Sequence, residues 1–403
     1  MRRRTEPLVT LELGTSHVRA FVGEPAEHAE GGLSLLGMGE SESAGIRKGE
    51  LVHFESVAKC VQQAVEQAEE RADVTIAEVH LVLSGAHIQA QHNVGTVSVE
   101  GAIDEDDLAR ARAAAREIAL PQDHEVLHHV MGRCLVDGAL CTSPLNMVGR
   151  SLSQNVLAIH GSRARMINLA KAVKSLNLEI RGMAFGGLCA AMATLTPDQR
   201  YEDGALLIDL GAGTTDYIVW TAEGASAAGV IGVGGDHVTN DISHAFHLPT
   251  PLAERIKLEH GDALLHPIFR TRRLNIQETG LGKAPRSIRL YDLHNVISLR
   301  MEETLGLIRA RLDSQKLLTQ LKGGVVLTGG GARMANILQL AENIFGLPCA
   351  VGEPRGIDGL SKQLLRPEYA TGLGALLYAE KTEREQAARA GDFWRKLGRW
   401  IGW

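Results

Sequence analysis

Two stretches of the chain carry one plan: VTLELGTSHVRAFV at residues 9–22 and LLIDLGAGTTDYIV at residues 206–219. Each is an apolar strand broken by one acidic residue, then Leu-Gly, a turn of small residues, and a second apolar strand. Two copies so far apart predict a duplicated, β-rich core that presents two similar hairpins.

The composition of the turns indicates their chemistry. Gly14, Thr15, Ser16 and His17 form the first; Gly211, Gly213, Thr214 and Thr215 belong to the second. Small residues let a phosphate approach the backbone N–H groups, and hydroxyls add donors. Facing each other, two such hairpins would clamp a polyphosphate. Glu12 and Asp209 end the strands just before the turns. Carboxylates there suit Mg²⁺, usually held through water. Ala212, inside the second turn, fits only if its φ is negative.

Further glycine-rich pieces follow. VVLTGGGARMANI (325–337) sets Gly329, Gly330 and Gly331 after a buried strand and before a helix, with Met334 close behind. Bare backbone there would accept a flat ring or a ribose. The spacing is not that of a dinucleotide turn, and no acidic residue follows at the required distance. VIGVGGDHVTNDI (230–242) places Gly234 and Gly235 at a helix start, as further candidates to bind the nucleotide. Glu254 and Lys257 share a helix face, within reach of a ribose, although the spacing suits a solvated ion pair equally well.

Working outward, residues 52–71 read as a helix and 79–85 as a buried strand. Short strands at 92–99, 125–132 and 153–160, with a helix near 105–119 capped by Asp104, read as a small α+β insert. Helices are expected at 163–176 and 182–195, mostly helical chain over 236–320 with edge strands or turns at 271–287, and a last core helix at 369–381. His124, His128 and His129 lie on a strand without completing a metal set.

The net charge is −6, which argues against nucleic acid as a partner. Five scattered cysteines fit a reduced compartment. No apolar run is long enough to cross a bilayer, and the arginines at residues 2–4 precede no signal-peptide core.

The order of hairpin, hairpin, glycine turn, Glu-Lys helix and glycine triplet resembles the superfamily of actin, sugar kinases and heat-shock ATPases. More narrowly, LELGTSHVRAFVGE, GIRKGELVHFESVAKCVQQAVEQAEERAD, VHLVLSGAHI, GVGGDHVTNDI and IKLEHGDAL resemble the FtsA family of bacterial cell-division proteins. The resemblance implies an α/β, actin-like bilobed ATPase fold built from duplicated ribonuclease-H-like domains with the FtsA-type insert. The first lobe would span 1–85, 161–200 and the terminal helix 361–381, with the insert at 86–160. The second would span 201–238 and 323–360, with a helical part at 239–322. The resemblance also implies ATP and Mg²⁺, self-assembly into filaments, and binding of the FtsZ C-terminal tail on the helical part. Arg300 is the expected contact there, although an ordinary surface arginine fits the position equally. Late division proteins would bind the insert. Two departures stand out. His17 replaces the usual lysine and carries less positive charge to a phosphate, and no general base is evident. ATPase activity is therefore expected to be weak or absent. A small-molecule kinase and a pilus-assembly actin homologue are the alternatives.

Three of the four tryptophans crowd the end of the chain. On a helical wheel Phe393, Trp394, Leu397, Trp400 and Ile401 fall within an arc of about 120°. Arg395, Lys396 and Arg399 lie opposite, with Trp403 at the border. A helix over 392–403 would be ~18 Å long, too short for a ~30 Å hydrocarbon core. It would instead lie in the interface, with its basic groups toward anionic lipid. Docking on the protein's own core or on a partner is the alternative. Residues 382–391, polar throughout, read as a flexible linker. The expected place is the cytoplasmic face of the cell membrane, peripherally, at the division site.

Overall fold

The computed structural model describes residues 7–26, 32–276 and 286–401. Strands β1 (Leu8–Leu13) and β2 (His17–Pro25) pair antiparallel, and β2 pairs on with β3 (Leu33–Glu42). Helix α1 (Phe54–Ala72) buries Val57, Val61, Ala64, Val65 and Ala68, one stripe at helical spacing. It packs so closely that a Cβ on Gly39 of β3 would lie 1.9 Å from the Ala64 carbonyl oxygen. Strand β4 (Glu78–Leu83) then runs parallel to β1 on its free side.

The insert follows: β5 (Gln89–Ser98), α2 (Glu105–Arg116), β6 (His124–Val136) and β7 (Ser151–Ser162). Strand β7 lies between β5 and β6, antiparallel to both. Asp104 caps α2 by accepting from the Asp107 N–H, and Asp107 returns the bond. Val99, Ile103, Leu108, Ala111 and Leu152 form a small core separate from that of the lobes.

Helix α3 (Arg163–Lys174) leads back to β8 (Glu179–Phe185), which joins the first sheet parallel to β4, and then to α4 (Gly186–Thr194). The apolar run 182–195, which reads as a single helix, is therefore divided. Its first residues complete the sheet edge, because an unbroken apolar run suits a buried strand as well as a buried helix.

The second lobe repeats the first. Strands β9 (Ala205–Leu210), β10 (Thr215–Thr221) and β11 (Gly224–Ile231) form the antiparallel meander. Helices α5 (Gly235–Phe246), α6 (Thr250–His260) and α7 (Leu290–Ser314) follow, then β12 (Val325–Thr328), α8 (Ile337–Phe345) and β13 (Cys349–Val351). The sheet order is β11-β10-β9-β12-β13, and that of the first lobe is β3-β2-β1-β4-β8. In both, the last two strands are parallel to the central one. Between α6 and α7, Arg273–Ile276 pairs with Arg286–Arg289 as an antiparallel ribbon; 277–285 lie outside the described residues.

The chain is back on the first lobe by Arg355, whose N–H donates to the Ala193 carbonyl at 2.9 Å, ahead of the boundary placed at 361. Helix α9 (Ala370–Ile401) then runs unbroken through 382–391, where the sequence suggests a linker. That segment is rich in Glu, Arg, Gln and Ala, which are strong helix formers. Among the described residues no helix is long and apolar enough to cross a membrane.

Candidate functional site

The two turns are built alike. Leu13 pairs with Val18 and Leu210 with Thr215, leaving residues 14–17 and 211–214 as the connections. Gly14 N–H donates to the His17 carbonyl at 3.1 Å, and Gly211 N–H to that of Thr214 at 3.0 Å. Gly14, Gly211, Ala212 and Gly213 all lack positive φ, so Ala212 is accommodated. The glycines provide room instead. A Cβ on Gly213 would lie 2.4 Å from Thr15 Oγ1 and 3.0 Å from the Lys48 backbone nitrogen. The turns thus touch across the junction of the lobes. Ser84 Oγ donates to Asp216 Oδ1 at 2.5 Å and lies 3.1 Å from Thr214 Oγ1. Thr215 does not reach the cleft: it is fully buried, and its hydroxyl donates to the Val233 carbonyl at 2.8 Å. Ser16 Oγ lies 2.9 Å from Nδ1 of His17, whose imidazole is held below its usual pKa by burial and then by Arg19.

Beneath the turns lie three buried carboxyl groups. Burial pushes Glu12 up to about 7, with Arg19 opposing and Asp209 and Glu40 adding to the rise. Burial also raises Asp209, against the hydrogen bond from Thr371 and the charge of Arg19. Asp216 is raised well above the usual carboxylate range by burial and by Asp209. Arg19 Nη1 lies 3.8 Å from Glu12, while its Nε donates to Glu40 at 2.7 Å and its guanidinium stacks 5.0 Å over Tyr369. Glu12 Oε2 is buried without a hydrogen-bond partner among the described residues. Carboxylates this poorly compensated, with an orphaned oxygen, fit a divalent cation. No three acidic, His or Cys side chains among the described residues are grouped to hold one unaided. Such an ion would complete its shell with water and phosphate oxygens.

Gly234 and Gly235 play a different part from the one their sequence suggests. Gly235 N–H donates to the Gly211 carbonyl at 2.9 Å, and Asp236 N–H to that of Ala212 at 2.8 Å. These donors at the start of α5 are occupied by the second turn and fasten it. Lys257 Nζ lies 2.7 Å from Glu254, donates to Thr239 Oγ1 at 2.9 Å and to the Gly235 carbonyl at 3.1 Å. With its side chain 9 % exposed, this is a built polar cluster rather than a solvated pair.

The glycine triplet abuts Asp209. Gly329 has φ 80°, and a Cβ there would lie 2.1 Å from Asp209 Oδ1. Gly331 packs on Leu210, whereas Gly330 faces open space. Only a 3₁₀ turn, Gly330–Arg333, follows directly; Met334 is half-buried, and Asn336 at φ 59° delays the helix until Ile337. The triplet is therefore not at an α-helix N-terminus.

Arg300 bridges α7 to α5, with Nε at 2.5 Å and Nη2 at 3.0 Å from the two oxygens of Asp241, and also pairs with Glu303. The side chains of Phe393, Trp394, Arg395, Lys396, Leu397, Arg399, Trp400 and Ile401 lie outside the described part of α9, and Trp403 lies outside the described residues. His124 sits 2.8 Å from His160, and His128 is buried between Tyr378 and Phe185. Among the described residues these histidines form no metal group.

Sequence reasoning missed Arg19, Ser84, Asp216 and Thr371. Asp216 could have been found, since it closes the second turn two residues after Thr214. The others meet the site only through the fold.

A family model described as cell division protein FtsA matches residues 206–374, and one described as the SHS2 domain inserted in FtsA matches 85–160. The chain is 32 % identical to the cell division protein FtsA of Escherichia coli (strain K12), covering 98 % of this chain and 97 % of the relative. It is also 32 % identical to that of Pseudomonas aeruginosa, covering 92 % and 88 %. Among solved structures, the PilM–PilN type IV pilus biogenesis complex matches with TM-score 0.63 at 17 % identity, covering 93 % of this chain and 99 % of that one. MreB5 of Spiroplasma citri bound to ADP matches with TM-score 0.59 at 14 % identity, covering 96 % and 99 %. The fold is the actin-like one.

Proposed function

The chain belongs to the FtsA family of bacterial cell-division proteins, and from that premise we propose that it binds Mg·ATP between its lobes, polymerises on the inner face of the cytoplasmic membrane at the division site, and tethers the FtsZ ring there. The observation that carries the nucleotide reading is the contact of Thr15 with Gly213, directly above buried and poorly compensated carboxyl groups. Two solved MreB5 structures of the same fold, described as bound to ADP and to AMPPNP, agree with it.

The backbone and hydroxyls of Gly14, Thr15, Ser16, Gly213 and Thr214 hold the phosphates. Glu12 and Asp209, supported by Asp216, hold Mg²⁺ through water. The ion, when bound, neutralises phosphate charge. Gly330 and Met334 offer a surface for the base, and Glu254 and Lys257 lie toward the ribose. His17, held neutral, adds no cation beside the phosphates, and no catalytic residue is assigned. Membership of this family disfavours a small-molecule kinase or a pilus-assembly role.

The helical part around Arg300 receives the FtsZ tail, and the insert receives later division proteins. The amphipathic end of the chain binds anionic lipid. Gly398 and Gly402 each cost about 1 kcal/mol of helicity, so a single end binds feebly. Many ends on one filament bind with far greater avidity, which couples assembly to attachment. Co-sedimentation with anionic vesicles tests this. The full chain should pellet, more so with ATP, and a chain lacking 392–403 should stay in solution. Pelleting that survives the deletion contradicts the reading.

A further inference from the structure

The insert belongs covalently to the first lobe, yet it grips both. Its polar hold on the first lobe includes His128, which is buried. His128 Nε2 accepts from Phe185 N–H at 2.8 Å, which leaves Nδ1 protonated to donate to Tyr378 of α9 at 2.8 Å. Five residues along the same strand, the insert reaches the second lobe. Arg133 N–H donates to the Glu223 carbonyl at 2.7 Å, in the turn between β10 and β11. Gly132 is pressed against that turn: a Cβ on it would lie 2.4 Å from the Glu223 carbonyl oxygen, and one on Gly224 would lie 2.6 Å from Gly132 Cα. Arg133 also reaches Glu202 at 2.8 Å, at the crossing between the lobes, and Asn155 reaches the Glu223 carboxylate at 3.4 Å.

The strands of the insert also pack along β11 beyond that turn, and Leu157 and Ile159 share an apolar core with Ala225, Ala228 and Val230. Beside it a cavity of about 530 Å³ separates Gln89 and His92 of the insert from Tyr217, Ala228, Arg311 and Gln315 of the second lobe. The insert is thus seated on the second lobe along β11 and the turn that leads into it, with a cavity beside the seat.

We propose that the insert is a latch across the lobes: the Gly132–Arg133 step, seated on the Glu223–Gly224 turn and on Glu202, fixes how the lobes stand to each other, and rotation of one lobe displaces the insert. Any lobe rotation must break the Arg133–Glu223 bond or carry the insert with it, because the strand bearing Arg133 is anchored at its other end through His128. The position of the insert then reports the state of the cleft. The latch stands on this geometry alone; its response to nucleotide rests on the ATP reading above.

Gly132→Val is the direct probe. Gly132 has no positive φ and sits in a strand, where a branched residue is favoured. What it cannot do is dock on Glu223. Hydrogen–deuterium exchange on the full chain, at segments 130–136 and 221–226, reads the latch without nucleotide. The expected result is exchange faster by about tenfold in the variant at both segments, with the protection of α1 unchanged. Arg133→Glu should loosen the same segments, and adding Glu202→Arg should tighten them again. Exchange equal to that of the parent in Gly132→Val and Arg133→Glu overturns the latch. With Mg·ATP present, the parent's exchange at these segments should shift as well. If ATP does not bind, that arm alone fails, and the comparison without nucleotide still decides the latch.

Discussion

Thr371 Oγ1 donates a 2.5 Å hydrogen bond to Asp209 Oδ2, so the first turn of the C-terminal helix is fastened to the floor of the cleft. The next residue reinforces this, since the Gly372 carbonyl accepts from Thr10 Oγ1 at 3.1 Å. The same helix then passes Tyr378, bonded to the insert, and Glu383, which reaches His80 at 3.3 Å and Arg181 at 3.2 Å. One element therefore touches the cleft, the insert and the sheet edge before it carries the chain to its end.

Thr371→Val removes a donor to a buried carboxylate. The expected loss of stability is about 1.5–3 kcal/mol, read from urea unfolding of the protein without nucleotide. Thr371→Ser keeps the hydroxyl and should recover most of it. Equal stability of the valine variant and the parent would show that the bond does not matter.

Gly234→Ala tests the fastening of the second turn. Gly234 has φ −161°, ordinary extended backbone, but a Cβ there would lie 2.6 Å from both the Gly211 and Ala212 carbonyl oxygens. Either the turn or the start of α5 must shift. ATP affinity should fall by about tenfold or more, while far-ultraviolet circular dichroism stays that of the parent. Unchanged affinity would detach this turn from nucleotide binding.

His128 sets a pH dependence. Burial, then its neighbour His129, depresses its pKa to about 4. The unfolded chain takes up a proton near 6.5 while the folded chain does not. Stability from this group is complete above 6.5 and is lost as pH falls toward 4. His128→Gln should lower stability at pH 7.5, and its further loss between pH 6.5 and 5 should be smaller than the parent's by about 1–2 kcal/mol. Parallel stability curves for parent and variant would contradict this.

Arg300 is already committed to Asp241 through two hydrogen bonds. Arg300→Ala should therefore weaken FtsZ-tail binding and also lower stability by about 0.5–1 kcal/mol, since partly exposed Asp241 loses its partner. Arg300→Lys should bind the tail more weakly than the parent, because one ammonium cannot replace a two-pronged guanidinium. Tail affinity unaltered in both variants removes Arg300 from that surface.

Much of this architecture is legible in the residues. The repeated strand–acid–Leu-Gly–turn pattern is local, and it marks both hairpins and both strand-end carboxylates. What escapes local reading is whatever depends on register or on distant chain. Thr214 faces the cleft side and Thr215 the sheet, a difference of one residue that no composition argument resolves. Thr371 meets Asp209 from the far end of the chain. The glycines of the turns read as room for a phosphate, but at Gly213 the room is taken by Thr15 of the other turn. The strand at 182–185 stays hidden because an apolar run has no period of its own.

On the nucleotide reading the two turns close over a triphosphate, and Glu12 and Asp209 would hold its Mg²⁺ beneath them. The most direct test is calorimetric titration of the full-length protein with ATP, with and without Mg²⁺, for the parent and for Asp209→Asn. The expected result is tight binding that depends on Mg²⁺ in the parent, and weak binding indifferent to Mg²⁺ in the variant. Equal affinities in all four titrations, or no heat in any of them, would contradict it.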